Sequence, residues 1–322
     1  MDFLVVDTAR NHPNEHIRPG RVLLFVLSLL VIFVVTSTIS LGSDCVDYQD
    51  YIHRAGAAHL PGEPEDVAIV GDYAYAIDST GLLIFDIAEP TLPQLVGSVA
   101  LTQTRSVAVQ SEYAYVACRH ELQVVDVSSV TNPVVVGTLP TPGDAEDVEV
   151  VADAAYIAAR VGLLVVNISI PHEPLLVISL ESPHVARDVS IQQNYAFVAD
   201  QQSLWVVDLK SYASAEFPPI GKPGPYMVSI VVQGSYAYLL DTTFGVNIYD
   251  ITDPMASEYV DNVHTSGQGG MEIVEDLLYT GSGPGLEVFD LANPEEPMLL
   301  ASVNTTYGVT RGLVVADSYA YV

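Results

Sequence analysis

The most constraining feature of the sequence is a repeat of about 41 residues that fills most of its 322 positions. An aromatic anchor marks each copy, and successive anchors are 40 to 42 residues apart. The anchors are Tyr75, Tyr115, Tyr156, Phe197, Tyr238, Tyr279 and Tyr321. An Asp or Asn follows each of the first six anchors by eleven or twelve positions. A fixed period of this length is typical of a repeat architecture in which each copy is one supersecondary unit.

Within each copy, hydrophobic and polar residues alternate as they do in β-strands. The second segment alternates aromatic residues with alanine, as in YAYAID at residues 73–78 and YAYVAC at residues 113–118. Gly, Pro and Asp separate the segments, and β-branched residues are frequent within them. After residue 50 no segment keeps the helical period. Four short antiparallel strands per copy predict one blade, and the whole series predicts an all-β propeller.

The third segment of each copy carries the motif by which the repeat resembles a known family. Its six versions are LLIFDI, LQVVDV, LLVVNI, LWVVDL, VNIYDI and LEVFDL. With the aromatic-Ala-aromatic segment before them and an Asn/Asp-Pro turn after them, these blocks resemble the LVIVD repeat over about residues 51–322. The resemblance implies a bacterial or archaeal cell-surface β-propeller, and it carries over no catalytic residue. The fourth copy departs from the pattern at KSYASAEFPPIGK (210–222), which leaves its outer strand undefined.

A strand without a blade of its own precedes the first copy. GEPEDV at residues 62–67 aligns with GDAEDV at residues 143–148, and this alignment places Gly56 on Gly137. Residues 51–60 therefore have the pattern of a fourth strand. In a closed ring this strand would complete the last blade and cover sheet edges that otherwise invite aggregation.

The last copy is short. It begins near residue 307 and reaches Val322 partway through its second strand. We therefore predict seven blades with the last one truncated, about 15 further residues being needed for its missing strand. An eighth blade would require a still longer chain.

An apolar segment near the N-terminus predicts export. Residues 22–35 are uncharged and apolar, arginines precede them and aspartates follow them, which places the remaining chain outside the cytoplasm. Residues 22–42 fit either a cleavable signal peptide or a single membrane anchor, since roughly 20 residues span a bilayer. The predicted organisation is a cytoplasmic region at 1–21, this segment, a linker at 43–50 and an LVIVD-type propeller at 51–322.

The charge balance limits the partners. Forty acidic residues against eleven Lys and Arg give a net charge of −29, so the chain lacks the basic surface that nucleic acids require. Contact with a membrane is expected only through residues 22–42. Two cysteines cannot form a multi-thiolate metal site, and we expect no cofactor apart from the calcium considered below.

Basic residues gather at one predicted face. Ten positions before the anchors, where one blade connects to the innermost strand of the next, three arginines are found. Two more occupy the loop between second and third strands, which emerges on the same face. These five candidate ligand-binding residues are Arg105, Arg119, Arg160, Arg187 and Arg311. They would either bind an anionic ligand or form a structural girdle with Glu65 and Glu146, which alternate with them.

Other side chains are weaker candidates. Tyr226 and Tyr307 fall in connections at the rim and could stack on a sugar or peptide. Asp78, Asp200 and Asp241, three residues after their anchors, would either bind calcium or cap loop amides. The Asp series of the third strand recurs in nearly every copy, which indicates a structural turn.

The preferred function is an exported, non-enzymatic binding or adhesion scaffold that presents loops to an extracellular protein or glycan. The alternatives are a hydrolase or lyase at the channel mouth around Arg105, Arg187 and His184, and a structural spacer for a further C-terminal domain. The run Cys118-Arg119-His120 offers a thiol beside a base, but Cys118 stands where the sister copies have Ala or Asp and is more simply a small buried residue. The enzymatic question stays open, and the sequence favours a protein without catalysis.

Overall fold

The computed structural model describes residues 2–7, 53–218, 226–265, 267–282, 285–304 and 311–322. These residues form seven four-stranded antiparallel sheets. Each sheet is a blade, so the predicted all-β, seven-bladed propeller is confirmed. A short 3-10 helix, Pro254–Ala256, precedes the outer strand of blade five.

Blades one to six each use four consecutive strands, numbered from the channel outward. The innermost strands are β3 (Pro64–Val70), β7 (Thr104–Gln110), β11 (Ala145–Val151), β15 (Asp188–Gln192), β19 (Met227–Gln233) and β23 (Gly267–Val274). The second strands are β4 (Tyr73–Asp78), β8 (Tyr113–Cys118), β12 (Ala154–Ala159), β16 (Tyr195–Ala199), β20 (Tyr236–Asp241) and β24 (Leu277–Ser282). The third strands are β5 (Gly81–Asp86), β9 (Glu121–Asp126), β13 (Gly162–Asn167), β17 (Leu204–Asp208), β21 (Gly245–Asp250) and β25 (Gly285–Asp290). The outermost strands are β6 (Gln94–Ala100), β10 (Val134–Pro140), β14 (Leu175–Glu181), β18 (Ser214–Phe217), β22 (Glu258–Val263) and β26 (Met298–Asn304).

Blade seven combines strands from both ends of the sequence. From the channel outward its strands are β27 (Val314–Ala316), β28 (Tyr319–Tyr321), β1 (Asp2–Asp7) and β2 (His53–His59). The expectation of a truncated last blade is therefore wrong. The segment DFLVVD has the same apolar pattern as LWVVDL in blade four, so it pairs with β28 as a third strand does. These residues belong to the segment that was expected to be a cytoplasmic region, 1–21.

The fourth strand predicted at residues 51–60 is confirmed in β2. A Cβ atom on Gly56 would lie 2.7 Å from the carbonyl oxygen of Thr91 in the neighbouring blade, so the strand can approach that turn only with glycine. Gly97 and Gly137 face the next blade in the same way, which explains why this glycine recurs.

The predicted signal or membrane segment at residues 22–42 lies outside the described residues, as does the linker at 43–50. Within the described ranges, no helix is long and apolar enough to span a bilayer.

The hydrophobic core is divided into seven clusters, one at each seam between neighbouring blades. In the seam between blades one and two, Tyr75 and Ile77 lie in one buried cluster with Ala114 and Val116. Large side chains of one blade thus meet small side chains of the next, which is what the aromatic-Ala alternation predicts. Burying this apolar surface between sheets is the main contribution to folding stability.

The third-strand Asp or Asn forms the same turn in six blades. One oxygen of its side chain accepts a hydrogen bond from the backbone N–H two residues later, for example Ala88 on Asp86 and Ser128 on Asp126. The equivalent bonds in the other blades are made by Asn167, Asp208, Asp250 and Asp290. These residues are structural, as the sequence indicates.

Candidate binding site at the channel mouth

The channel mouth holds the largest group of predicted site residues. Arg105, Arg187 and Arg311 line one open cavity of about 580 Å³, together with Glu65 and Glu146. They stand at or just before the beginning of the innermost strands of blades one, two, three, four and seven. A shared position in the repeat thus becomes a ring around the channel.

The ring is held by two glutamates that each contact several arginines. Glu65 lies 2.6 Å from Nη1 of Arg311 and 3.6 Å from Nη1 of Arg105. Glu146 lies 4.0 Å from Nε of Arg105 and 3.4 Å from Nη1 of Arg187. It also accepts a hydrogen bond of 2.7 Å from Nε of Arg160. Acidic and basic side chains therefore alternate across blade boundaries, as a girdle requires.

A second charged group extends this ring outward. Asp144 contacts Nε of Arg119 at 2.9 Å, Nε of Arg160 at 3.3 Å and Nδ1 of His120 at 3.2 Å. The hydrogen bond from Arg119 lowers the pKa of Asp144, and the nearby positive charges lower it further. The structure thus brings the two loop arginines together on one carboxylate.

The geometry of the ring leaves N–H donors of its arginines available at the mouth. The distances from Arg105 to its two glutamates exceed the 2.7–3.2 Å usual for an N–H···O bond. The Arg105 and Arg187 side chains remain 32% and 31% exposed. A guanidinium carries five N–H donors, so both arginines keep donors for a further acceptor. Girdle and binding site are therefore compatible.

Beneath the ring lies a layer of carboxyl groups that the sequence analysis missed. Asp66, Asp147 and Asp188 line the same cavity. Each accepts a hydrogen bond from the backbone of the next blade: Asp66 from Val107 N–H at 2.9 Å, for example. The corresponding donors are Val189 N–H for Asp147 and Ile230 N–H for Asp188. The three aspartates stand nine positions before their anchors, so the repeat alignment could have revealed them.

The surroundings of these carboxyl groups oppose ionisation. Loss of solvent raises the pKa of Asp66 to about 7, and the neighbouring Asp147 adds to the effect. Loss of solvent, followed by the charge of Asp147, also raises the pKa of Asp188 well above its usual value. On the innermost strands, burial raises the pKa values of Glu149 and Glu272 to about 7. The channel wall therefore holds several protons near neutral pH.

The opposite wall of the cavity is smaller and uncharged. Val228 and Gly269 occupy the ring position in blades five and six, and Gly270 and Gly312 replace the aspartate in blades six and seven. A ligand at the mouth would thus meet arginines on one side and an open, glycine-lined wall on the other.

Of the two predicted tyrosines, the structure describes one. Tyr226 is 52% exposed just before the innermost strand of blade five, where its carbonyl oxygen accepts a hydrogen bond from Thr242 N–H. Tyr307 lies outside the described residues. Stacking on a ligand remains a prediction for both side chains.

The three aspartates considered for calcium hold their own loops. Asp78 accepts hydrogen bonds from the N–H groups of Gly62, Thr80 and Gly81. Asp241 accepts them from Thr243 and Phe244. Within the described residues neither belongs to a group of three ligand atoms within 4.8 Å of one another, whereas Asp200 does, with His184 and Glu216. The structure therefore does not bring Asp78, Asp200 and Asp241 together.

Cys118 and His120 do not form a nucleophile and its base. Cys118 is buried in the cluster between blades one and two, and burial raises the pKa of its thiol to about 12. A thiol with such a pKa is a poor nucleophile at neutral pH. His120 instead contacts Asp144 in the charged group described above.

The comparisons with known proteins agree with this fold. The sequence profile of the LVIVD repeat matches residues 61–101, 102–141, 142–181, 184–215 and 226–265. A protein from Lactobacillus plantarum is 14% identical, with a TM-score of 0.70 and coverage of 81% of this chain and 91% of that one. BamB from Moraxella catarrhalis is 12% identical, with a TM-score of 0.57 and coverage of 83% and 85%. Likeness at such low identity shows the fold alone. No curated protein matches the sequence.

Proposed function

The chain belongs to the LVIVD repeat family, and we propose that it is a cell-surface β-propeller that binds an extracellular protein or glycan without transforming it. The contact surface is the mouth ring, defined as Glu65, Arg105, Glu146, Arg187 and Arg311. The ligand presents carboxylate groups, because planar guanidinium groups bind these through paired hydrogen bonds.

The observation that carries the proposal is the composition of the mouth ring together with the adjoining group of Arg119, Arg160 and Asp144. Five arginines from both charged groups face three carboxylates, Glu65, Asp144 and Glu146, although the whole chain carries a net charge of −29. A local excess of positive charge on a very acidic protein attracts anions to one place. The open cavity at the mouth provides room for them.

The carboxyl layer supports binding rather than catalysis. Asp66, Asp147 and Asp188 are each engaged by a backbone N–H of a neighbouring blade. Such hydrogen bonds hold the side chains in structural positions and occupy oxygens that a general base would use. The mouth therefore has the features of a recognition surface.

Location at the cell surface is part of the proposal and rests on the location that the resemblance to the LVIVD repeat implies. The last blade sets a condition on it, because Asp2–Asp7 supply a strand of the propeller. These residues must then stay in the mature chain, on the same side of the membrane as the blades. Removal of a signal peptide would take this strand away.

Binding to carboxylated glycans tests the proposal. The full-length protein would be titrated calorimetrically with oligogalacturonate and, separately, with its neutral methyl ester. We expect binding of the acid and at least tenfold weaker binding of the ester. The double variant Arg105→Ala/Arg187→Ala should weaken binding of the acid at least tenfold.

The matched control is Lys210→Ala. Lys210 follows a third strand at the opposite face of the blades, so its loss should leave binding unchanged. Binding that survives the arginine substitutions while the melting temperature falls would leave the ring with a structural role only. Absence of binding to the acid would overturn recognition of carboxylated glycans by this surface.

A further inference from the structure

Blade four carries a cluster of metal-ligating side chains that does not belong to the mouth ring. His184 precedes β15, Asp200 follows β16 and Glu216 lies on β18. One ligand atom from each residue lies within 4.8 Å of the other two. Nε2 of His184 and Oε1 of Glu216 are 3.3 Å apart. Two ligands bonded to one tetrahedral Zn²⁺ at about 2.1 Å stand about 3.4 Å apart, so this pair already has a suitable spacing.

The two oxygens of the Asp200 carboxylate have different hydrogen-bond partners. Oδ1 holds the following loop by accepting hydrogen bonds from the backbone N–H and hydroxyl of Ser203. Among the residues that the structure describes, Oδ2 accepts a hydrogen bond from one hydroxyl alone, that of Ser182 at 3.0 Å. A hydroxyl can rotate away, so Oδ2 can accept a cation without loss of the loop.

Blade one shows the alternative arrangement at the same positions. There Asp78 accepts a hydrogen bond at Oδ2 from the backbone N–H of Gly62, at 2.7 Å. Gly62 and His184 both stand thirteen positions before their anchors. Blade four therefore replaces a fixed amide donor at this oxygen with a movable hydroxyl, and it places an imidazole beside it.

Glu216 is equally specific to blade four. It pairs with Trp205 in the ladder between the third and outermost strands. The residues at this ladder position in four other blades are small and polar: Ser98, Thr138, Ser179 and Ser302. Two aligned positions thus change together in one blade, and the change brings a histidine and a glutamate to the same aspartate.

The local charge favours a cation. Asp200 is fully buried, and Glu216 brings a second carboxylate within 4.8 Å of it. Two carboxylates and one imidazole so close together leave a negative excess that a divalent ion would neutralise.

We propose that His184, Asp200 and Glu216 form a binding site for a divalent transition-metal ion, with Zn²⁺ as the best match. One imidazole nitrogen and two carboxylate oxygens suit a borderline metal better than calcium, which prefers six or more oxygen ligands. Glu216 is exposed and can rotate to bring its oxygen into bonding distance. Three protein ligands leave a fourth position for water or for an acceptor group of a ligand.

The experiment is a titration of the full-length, tag-free and chelator-treated protein with ZnCl₂ by calorimetry. We expect one ion per chain and a rise in the melting temperature, because binding to the folded state alone stabilises it. Replacement by Co²⁺ should give the visible absorption of a four- or five-coordinate site.

Two variants restore the residues that sister blades use, so they should fold. His184→Gly and Glu216→Ser should each weaken Zn²⁺ binding at least tenfold and abolish the Co²⁺ absorption. The control His120→Ala removes a histidine that also contacts a carboxylate, and it should leave both signals unchanged. Absence of Zn²⁺ binding, or equal binding by the two blade-four variants and the parent protein, would overturn the site.

Discussion

At the position directly below the mouth ring, the seams of blades one to five are joined by side chains, whereas the seams beside blade seven are joined there by close backbone approach. Asp66 of blade one and Asp188 of blade four each accept a backbone N–H of the next blade. Between blades two and three, Ser106 donates to Asp147 at 2.6 Å. Between blades six and seven, Gly270 N–H instead donates to the carbonyl oxygen of Arg311 at 2.7 Å.

This difference shows two ways to close one ring. A carboxyl group at a seam accepts a hydrogen bond from one particular backbone N–H of the next blade. It also loses contact with solvent there, which raises the pKa values of Asp66 and Asp188. A glycine seam has no such electrostatic cost and depends on space alone. The five blades that match the family profile are also the five with polar side chains at the seam position.

The largest expected effect comes from the strand that the N-terminus adds to blade seven. Val5 lies in the cluster shared with blade one and Val6 in the cluster shared with blade six, and both are fully buried. Val6→Asp places a carboxylate between two sheets and should lower the free energy of unfolding by about 4 kcal/mol or more. Urea denaturation, with the intact mass of the purified protein, measures this loss.

The matched control is Val70→Asp, at a valine that is 40% exposed on β3. It should change stability by less than about 0.5 kcal/mol. Unchanged stability of Val6→Asp, together with a mass that lacks the N-terminal residues, would show that a cleaved signal peptide had removed the strand.

An exchange of seam residues tests the comparison directly. Serine stands at this position in blades two and five, so Asp147→Ser should cost only about 1 kcal/mol, since it keeps an acceptor. A Cβ atom on Gly312 would lie 2.6 Å from Cα of Asp66, so Gly312→Ser should cost about 2–3 kcal/mol. Thermal unfolding of both variants compares them. Equal costs would mean that the two kinds of seam do not differ.

The smallest effect is a dependence of stability on pH. Asp66, Glu149 and Glu272 have folded-state pKa values of about 7, above those of the unfolded chain. Between about pH 4 and pH 7 the folded protein therefore binds more protons, and its stability falls as the pH rises. We expect the free energy of unfolding to be about 1 kcal/mol or more higher at pH 5 than at pH 8.

The variant Asp66→Asn separates this effect from the general repulsion of an acidic protein. It should flatten the dependence of the melting temperature on pH between 5 and 8. The control Glu63→Gln removes an exposed acid of the same blade and should leave the slope as it was. Identical slopes for both variants would assign the dependence to overall charge.

Much of the architecture could be predicted because its signals are local. The alternation in β4 and β8 and the Asx turns at Asp86 and Asp126 depend on neighbouring residues. The five arginines could be assigned to one face, because the repeat fixes where each loop emerges. The same alignment indicated Glu65 and Glu146 as their partners, whereas the pairing of Arg119 with Asp144 could not be assigned, since it depends on side-chain directions across blades.

The N-terminal strand was missed for a related reason. Six residues of strand pattern at positions 2–7 precede an apolar segment that suggests export, and no neighbouring repeat identifies them as part of a blade. The His184, Asp200 and Glu216 cluster was also hidden, because its members come from a connection, a loop and an outer strand.

The sequence by itself determined the blade type, the strands of the first six blades apart from the outer strand of blade four, and the residues of their turns, because a period of two and a turn need only nearby residues. The tertiary structure decided how the ring closes and which charges meet. Arg311 and Glu65 are 246 positions apart, yet they form a hydrogen bond of 2.6 Å. Such a contact exists only when seven sheets close into a ring, since closure alone brings the last blade against the first.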